Sequence, residues 1–168
     1  MPCLNEAESI GLCVDKAWAA LRKYGLKGEV IVCDNGSTDG SPEIAARHGA
    51  RVVFQPLKGY GYAYMKGFEE ARGRYILMAD SDNTYDFNDL ERFLTPLRNG
   101  ADLVMGNRFK GHILPGAMSW SHRYIGNPIL SGLLNLFFHT GIGDAHCGMR
   151  AFRRSAYPLM HLQTGGME

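Results

Sequence analysis

The chain has no paired cysteine spacing: Cys3, Cys13, Cys33 and Cys147 are its only cysteines and stand singly. That excludes a disulfide framework and leaves reduced thiols used for packing. His112, His122, His139 and His146 share no ligand spacing, so a zinc centre is not expected. No basic segment followed by an apolar core opens the chain, and no apolar run reaches the ~18 residues that cross a bilayer. A cytoplasmic location is therefore expected, in solution or at the cytoplasmic face of a membrane. The formal net charge of +1 provides no field for nucleic acid, so any anion site must be local. Repeats and low-complexity tracts are also absent. With 45% apolar and 21% charged residues over 168 positions, the chain is not disordered and can bury one sizeable core.

What is present is an alternation of periods. Ile10, Val14, Ala17, Trp18 and Leu21 have helical spacing within 9–24, and Gly25 supplies a stop. Residues 29–33 read as a buried strand ended by Asp34-Asn35-Gly36, and Ser41-Pro42 opens a helix reaching about His48. A strand over 51–55, a helix over 61–71, a strand over 75–79, a helix over about 88–97 and a strand over 102–105 follow. Strands alternating with helices predict a parallel sheet covered on both faces. After Arg108 the alternation stops, and an apolar helix is expected from about Pro128 to Phe138. Its apolar residues occupy too many faces for a solvated helix, which predicts core burial or contact with a membrane. Trp120 is expected to pack.

The polar signals fall where the apolar strands end. Tyr75-Ile76-Leu77-Met78-Ala79 runs into Asp80-Ser81-Asp82, an oxygen-rich site at the strand end where open α/β sheets bind ligands. Two carboxylates one residue apart suit magnesium or manganese, although on extended backbone they point to opposite sides. Asp34 and the following Asn35-Gly36-Ser37-Thr38-Asp39-Gly40 form a loop rich in donors. Lys58-Gly59-Tyr60-Gly61 offers a cation and two glycines that could approach phosphates at a helix start. It is not a dinucleotide fingerprint, since Tyr64 stands where the third glycine belongs. Arg150, Arg153 and Arg154 read equally as a solvated edge or an anion site.

In this order and spacing, Pro2-Cys3-Leu4-Asn5-Glu6, Asp34 to Gly40, Lys58 to Gly61, Asp80-Ser81-Asp82 and Gly106-Asn107-Arg108 resemble family-2 glycosyltransferases. The likeness covers nearly the whole chain. The later stretch, with Arg108, Trp120, Arg123, Ser131, Asn135 and Asp144 to Arg150, resembles the dolichol-phosphate mannosyltransferase-like branch, which moves sugars onto polyprenyl phosphates. The resemblance implies the α/β GT-A fold, a Rossmann-like, mostly parallel sheet with helices on both faces. It also implies one catalytic domain over 1–168, with a nucleotide-sugar half (1–108) and an acceptor half (109–168).

At matching positions the resemblance implies that Pro2, Asn5, Glu6, Ser37, Lys58 and Gly59 line the nucleotide pocket and that Asp34 meets the base of a UDP- or GDP-sugar. It gives Asp80 the ribose or donor sugar and Asp82 a magnesium or manganese ion on the diphosphate, with Asp80 the second candidate ligand. Arg108, Arg123 and Arg150 are the candidates for the acceptor phosphate, with Ser131 and Asp144 near the reacting centre. A phosphate acceptor needs no base, whereas a hydroxyl acceptor does, and Asp144 or Glu168 would then serve. The alternatives are a glycan-building transferase with a hydroxyl acceptor, a nucleotidyltransferase, and an inactive nucleotide-binding module. A lipid acceptor implies peripheral membrane contact. Both ends read as cut, with only the tail of a first apolar strand before Asn5, and such an open sheet predicts homo-oligomers.

Overall fold

The computed structural model describes residues 1–111 and 120–166, with the backbone alone at His122 and Arg123. Elements follow the expected rhythm: β1 (Pro2–Cys3), α1 (Ile10–Lys23), β2 (Ile31–Asp34), α2 (Ser41–Arg47), β3 (Arg51–Phe54), α3 (Tyr60–Glu70), β4 (Tyr75–Met78), α4 (Leu90–Arg98), β5 (Leu103–Met105), α5 (Asn127–Phe138) and β6 (Arg150–Arg153). In α1, Ile10, Val14 and Ala17 recur on one face and are buried. The helix ends in a Schellman motif: Gly25, at φ 61°, donates to the Arg22 carbonyl and Leu26 to the Leu21 carbonyl.

β1, β2 and β3 form a parallel set with β2 central, in register Pro2↔Cys33 and Ile31↔Arg51. Neighbouring residues of a strand face opposite sides. Val32 accordingly packs with Ile10 and Val14 of α1 and Ala45 of α2, whereas Cys33 faces Gly67 of α3, so helices cover both faces. β4 and β5 each pair antiparallel with β6, in the order β4-β6-β5. This return strand is not expected from the alternation. Arg150-Ala151-Phe152-Arg153 holds only two apolar residues between arginines, too short a run to signal a strand, yet Ala151 and Phe152 are both buried. Phe152 meets the Phe68 ring edge-on at 5.0 Å, while Ala151 joins the larger core on the other face.

The two strand sets are tied beside β1: Ser81 Oγ donates to the Pro2 carbonyl at 2.7 Å, and Cys13 Sγ to the Ser81 carbonyl at 3.3 Å. An apolar cleft of about 360 Å³ lies alongside, lined by Met1, Val30, Ile31, Tyr64, Ile76 and Ala79 among others. Met1 N donates to Ile31 O there at 2.9 Å.

Expectation and structure part at α5. Core burial is the more common fate of so apolar a helix, but its buried residues are Asn127 and Ser131, while Leu136, Phe137 and Phe138 are 67–70% exposed. Composition alone cannot tell which face of a helix meets the core. Here the polar groups turn inward to hold a loop: Ser131 Oγ accepts from Ala145 N, and the Asn135 amide bonds both backbone groups of Ile142. Trp120 is likewise exposed, in ring contact with Tyr124 rather than packed in the core. No helix among the described residues is long and apolar enough to cross a membrane.

Candidate functional site

The loops that leave the carboxyl ends of β1, β2 and β4 converge. Asp34, 4% exposed, accepts from Gly36 N and Ser37 N, an Asx turn that bends the chain out of β2. Ser37 Oγ then accepts from Asn5 N at 2.9 Å, and Asn5 Oδ1 accepts from Thr38 N at 2.9 Å. Asn5 sits at φ 58°, a left-handed conformation that Asn tolerates better than most residues. Ser41 Oγ accepts from Glu6 N and donates to Asp39, whose other oxygen accepts from Ala7 N. The Ser41 hydroxyl holds the Asp39 carboxyl below the usual carboxylate range. Asn5, Glu6, Ser9, Asp39 and Asp82 line one concavity between these loops.

Asn35 joins the β2 loop to the β3 loop. Its buried amide donates to the carbonyls of Gln55 and Leu57 and accepts from Gly59 N at 2.8 Å. Lys58 Nζ reaches back to the Asn35 carbonyl at 2.7 Å, so the loop cation is anchored on backbone beside Asp34. Asn35→Ala leaves two carbonyls and one N–H unpaired, and it is expected to lower the unfolding free energy by about 1–3 kcal/mol in urea titration.

Gly59 and Gly61 stand against backbone from the 164–165 segment. A Cβ at either would overlap the carbonyl oxygens of Gly165 or Thr164, and Tyr62 N donates to Gly165 O at 3.1 Å. The chain's own 164–165 backbone thus caps the first turn of α3, taking one of the donors a helix start leaves open.

Asp80 and Asp82 point apart, as their alternation predicts. Asp82 is exposed, opens on the Asn5–Asp39 concavity and accepts from Thr84 N at 2.9 Å. Asp80 instead accepts two phenol protons on one oxygen, from Tyr60 at 2.5 Å and Tyr64 at 3.0 Å. Burial first, then the Asp80 carboxylate, pushes both phenols above the ordinary tyrosine range. Among the described residues no group of three His, Cys, Asp or Glu side chains is set to hold a metal. Magnesium binds through one or two carboxylates, waters and substrate phosphates, and manganese shares its preference for oxygen ligands, so the exposed Asp82 fits either ion as a single protein ligand. The thiols do not compete: all four are buried, and burial raises them, Cys33 to about 11.

In the second half, Gly106-Asn107-Arg108 meets the 143–148 loop. Arg108 grips Asp144 through Nε at 2.7 Å and Nη2 at 2.9 Å, and its backbone N–H adds a third bond. The Asp144 side chain is fully buried. Burial pushes this carboxyl up, and the Arg108 pair with the backbone donors overcomes it, holding Asp144 below the usual carboxylate range. Arg150 donates to the carbonyls of Cys147 and Ala145, pinning the same loop. Arg108 and Arg150, two of the three candidates for the acceptor phosphate, therefore both bond groups of the 144–150 turn. Gly148 N donates to Tyr85 Oη, whose phenol burial pushes up to about 12. The Arg123 side chain and Glu168 lie outside the described residues.

The bonding roles of Asn35, Tyr60 and Tyr64 are not predicted by the sequence, although all three lie in or beside the loop motifs. The tyrosines carried a usable signal, since i,i+4 spacing puts both on one face of α3, whereas the partners of Asn35 lie 20–24 residues away.

A parallel set β1-β2-β3 with loops leaving the carboxyl ends of its strands, beside the antiparallel set β4-β6-β5 and covered by helices, is the architecture of the GT-A fold. The chain belongs to glycosyltransferase family 2, whose model matches residues 1–158. It is 49% identical over its full length to the low-salt glycan biosynthesis hexosyltransferase Agl6 of Haloferax volcanii, covering 41% of that protein. It is 34% identical over 78% of its length to the dolichyl-phosphate hexose transferase of the same organism, covering 55% of it. Among solved structures, the glucosyl-3-phosphoglycerate synthase of Mycobacterium tuberculosis in complex with Mn2+ and UDP-glucose superposes with a TM-score of 0.69 at 26% identity, over 92% of this chain and 54% of that one. The chain thus spans about half the length of these relatives.

Proposed function

We propose that the chain forms the donor-binding core of a metal-dependent, inverting hexosyltransferase that moves a sugar from a UDP- or GDP-sugar to a polyprenyl phosphate. The observation that carries this reading is the concavity where Asn5, Glu6, Asp39 and Asp82 meet at the strand ends. The names of the relatives support the reaction class, and the Mn2+ and UDP-glucose of the synthase support the donor and ion.

In this reading the buried Asp34 and the Asn5–Thr38 staple hold the nucleoside, and Asp82 holds the ion. A bound Mg2+ or Mn2+ supplies charge stabilisation to the leaving diphosphate. The bond from the anomeric carbon to the diphosphate breaks as the acceptor oxygen attacks from the opposite face, and the electron pair leaves on the diphosphate. The state of Asp144 favours a phosphate acceptor. Buried and ion-paired with Arg108, it is not placed to take a proton from a hydroxyl, and a phosphate anion arrives already deprotonated. Arg123 remains the cation assigned to the acceptor phosphate by the resemblance.

The outward apolar face of α5, with Trp120 and Tyr124 before it, suits a lipid surface at the cytoplasmic face, where a polyprenyl acceptor lies. The test is sugar transfer from UDP- and GDP-sugars to polyprenyl phosphate in micelles, set against free saccharides. Labelled lipid is expected; transfer to saccharide alone would replace this reading with a hydroxyl-acceptor enzyme. Replacing Leu136, Phe137 and Phe138 together by Ser is expected to lower vesicle co-sedimentation about tenfold while leaving nucleotide binding unchanged.

A further inference from the structure

Asp80 is held asymmetrically. Both tyrosine hydroxyls address Oδ1, and they lie 3.4 Å from each other. The rings cannot easily turn away. Tyr60 and Tyr64 pack edge to face at 4.8 Å, Tyr64 stacks on Phe68 at 5.6 Å, and Phe68 meets Phe152 of β6. Tyr64 is 6% exposed, so its hydroxyl is fixed from behind by core packing. On the other side Oδ2 faces the 147–149 turn. A Cβ at Gly148 would stand 2.7 Å from Oδ2 and 2.7 Å from Tyr85 Oη. The close approach of that oxygen to the turn therefore depends on glycine at 148, whose N–H is already held by Tyr85.

We propose that Tyr60 and Tyr64 are positioning residues which saturate Asp80 Oδ1, so that Oδ2 alone is presented as acceptor to a hydroxyl of the nucleotide sugar. This inference rests on the glycosyltransferase reading and assigns a task to two tyrosines of α3, one inside the Lys58–Gly61 loop motif and one beyond it. Two donors on one oxygen fix the carboxylate plane, and Oδ2 then meets the incoming hydroxyl without losing rotational freedom on binding. A free carboxylate would have to be ordered by the ligand itself. Phenols suit the task because the hydroxyl is a neutral donor carried on a ring that core packing holds in place.

The test is a double-mutant cycle read by binding. The affinity for UDP-glucose and for GDP-mannose, each with Mn2+, is measured by calorimetry for the wild-type chain, the Tyr60→Phe/Tyr64→Phe variant, Asp80→Ala, and all three changes together. Thermal unfolding is recorded for each. The double phenylalanine variant is expected to bind the preferred nucleotide sugar about tenfold more weakly, and Asp80→Ala is expected to lose at least as much. Once Asp80 is alanine, the tyrosine changes should cost less than about twofold, because the group they position is gone. Tyrosine losses that add in full to Asp80→Ala would show a merely structural role and overturn the proposal, as would no loss in the double variant. A wild-type chain that binds neither nucleotide sugar would overturn the glycosyltransferase reading itself, a result distinct from both.

Discussion

Replacing Asp144 by Asn is expected to lower the unfolding free energy by about 3 kcal/mol, at the low end of the cost of breaking a buried ion pair. The carboxylate is fully buried and takes both Nε and Nη2 of Arg108, together with the backbone N–H of Arg108 and, at 3.3 Å, that of His146. Asn keeps the shape, but it loses the charge and exchanges an acceptor for a donor that faces a guanidinium. The loss stays near the low end because 27% of the Arg108 side chain is exposed and can recover some hydration. The same pair gives the fold an acid limb. A carboxyl held below its ordinary value contributes stability that is fully present above its unfolded pKa of about 4 and disappears as pH falls through the folded value. Urea titrations at neutral pH and near pH 3 should show the wild-type chain losing stability with acid, and Asp144→Asn losing correspondingly less. Equal stability of the two proteins at neutral pH would contradict the pair as drawn.

Asp82→Asn is expected to act in the opposite way, on function without stability. The side chain is exposed, and its one backbone partner, Thr84 N, can still bond an amide oxygen, so the change in unfolding free energy should stay within about 0.5 kcal/mol. If the proposed function holds, metal-dependent turnover should fall by about 10²-fold or more, since an ion held by Asp82 would lose its protein carboxylate. Turnover within a few-fold of wild type, measured on the folded variant, would remove Asp82 from the metal role.

Much of the first half was legible because each strand there is a short apolar run closed by its own turn chemistry, as at Val32-Cys33-Asp34-Asn35 and Leu77-Met78-Ala79-Asp80. The local pattern alone places these loop residues at strand ends. The second half obeys longer-range rules. β6 carries too few apolar residues to announce itself and exists because β4 and β5 both need a partner. Arg108 and Asp144 lie 36 residues apart, and nothing local to either tells that they neutralise each other. For α5, composition revealed an apolar helix, but the inward-facing side is set by Ser131 and Asn135 bonding the 140–145 loop. The glycines of 59–61 show a related ambiguity. Glycine reports a close approach, and only the fold shows that the approaching group is the backbone at 164–165.

The central claim is that the loops at the ends of β1, β2 and β4 form a nucleotide-sugar site, and calorimetric titration of the purified chain with UDP and GDP, with and without Mn2+, tests it most directly. The account predicts saturable binding of one of the two nucleotides, tighter in the presence of Mn2+. Heats of dilution alone for both nucleotides, from protein whose circular dichroism shows it folded, would contradict it.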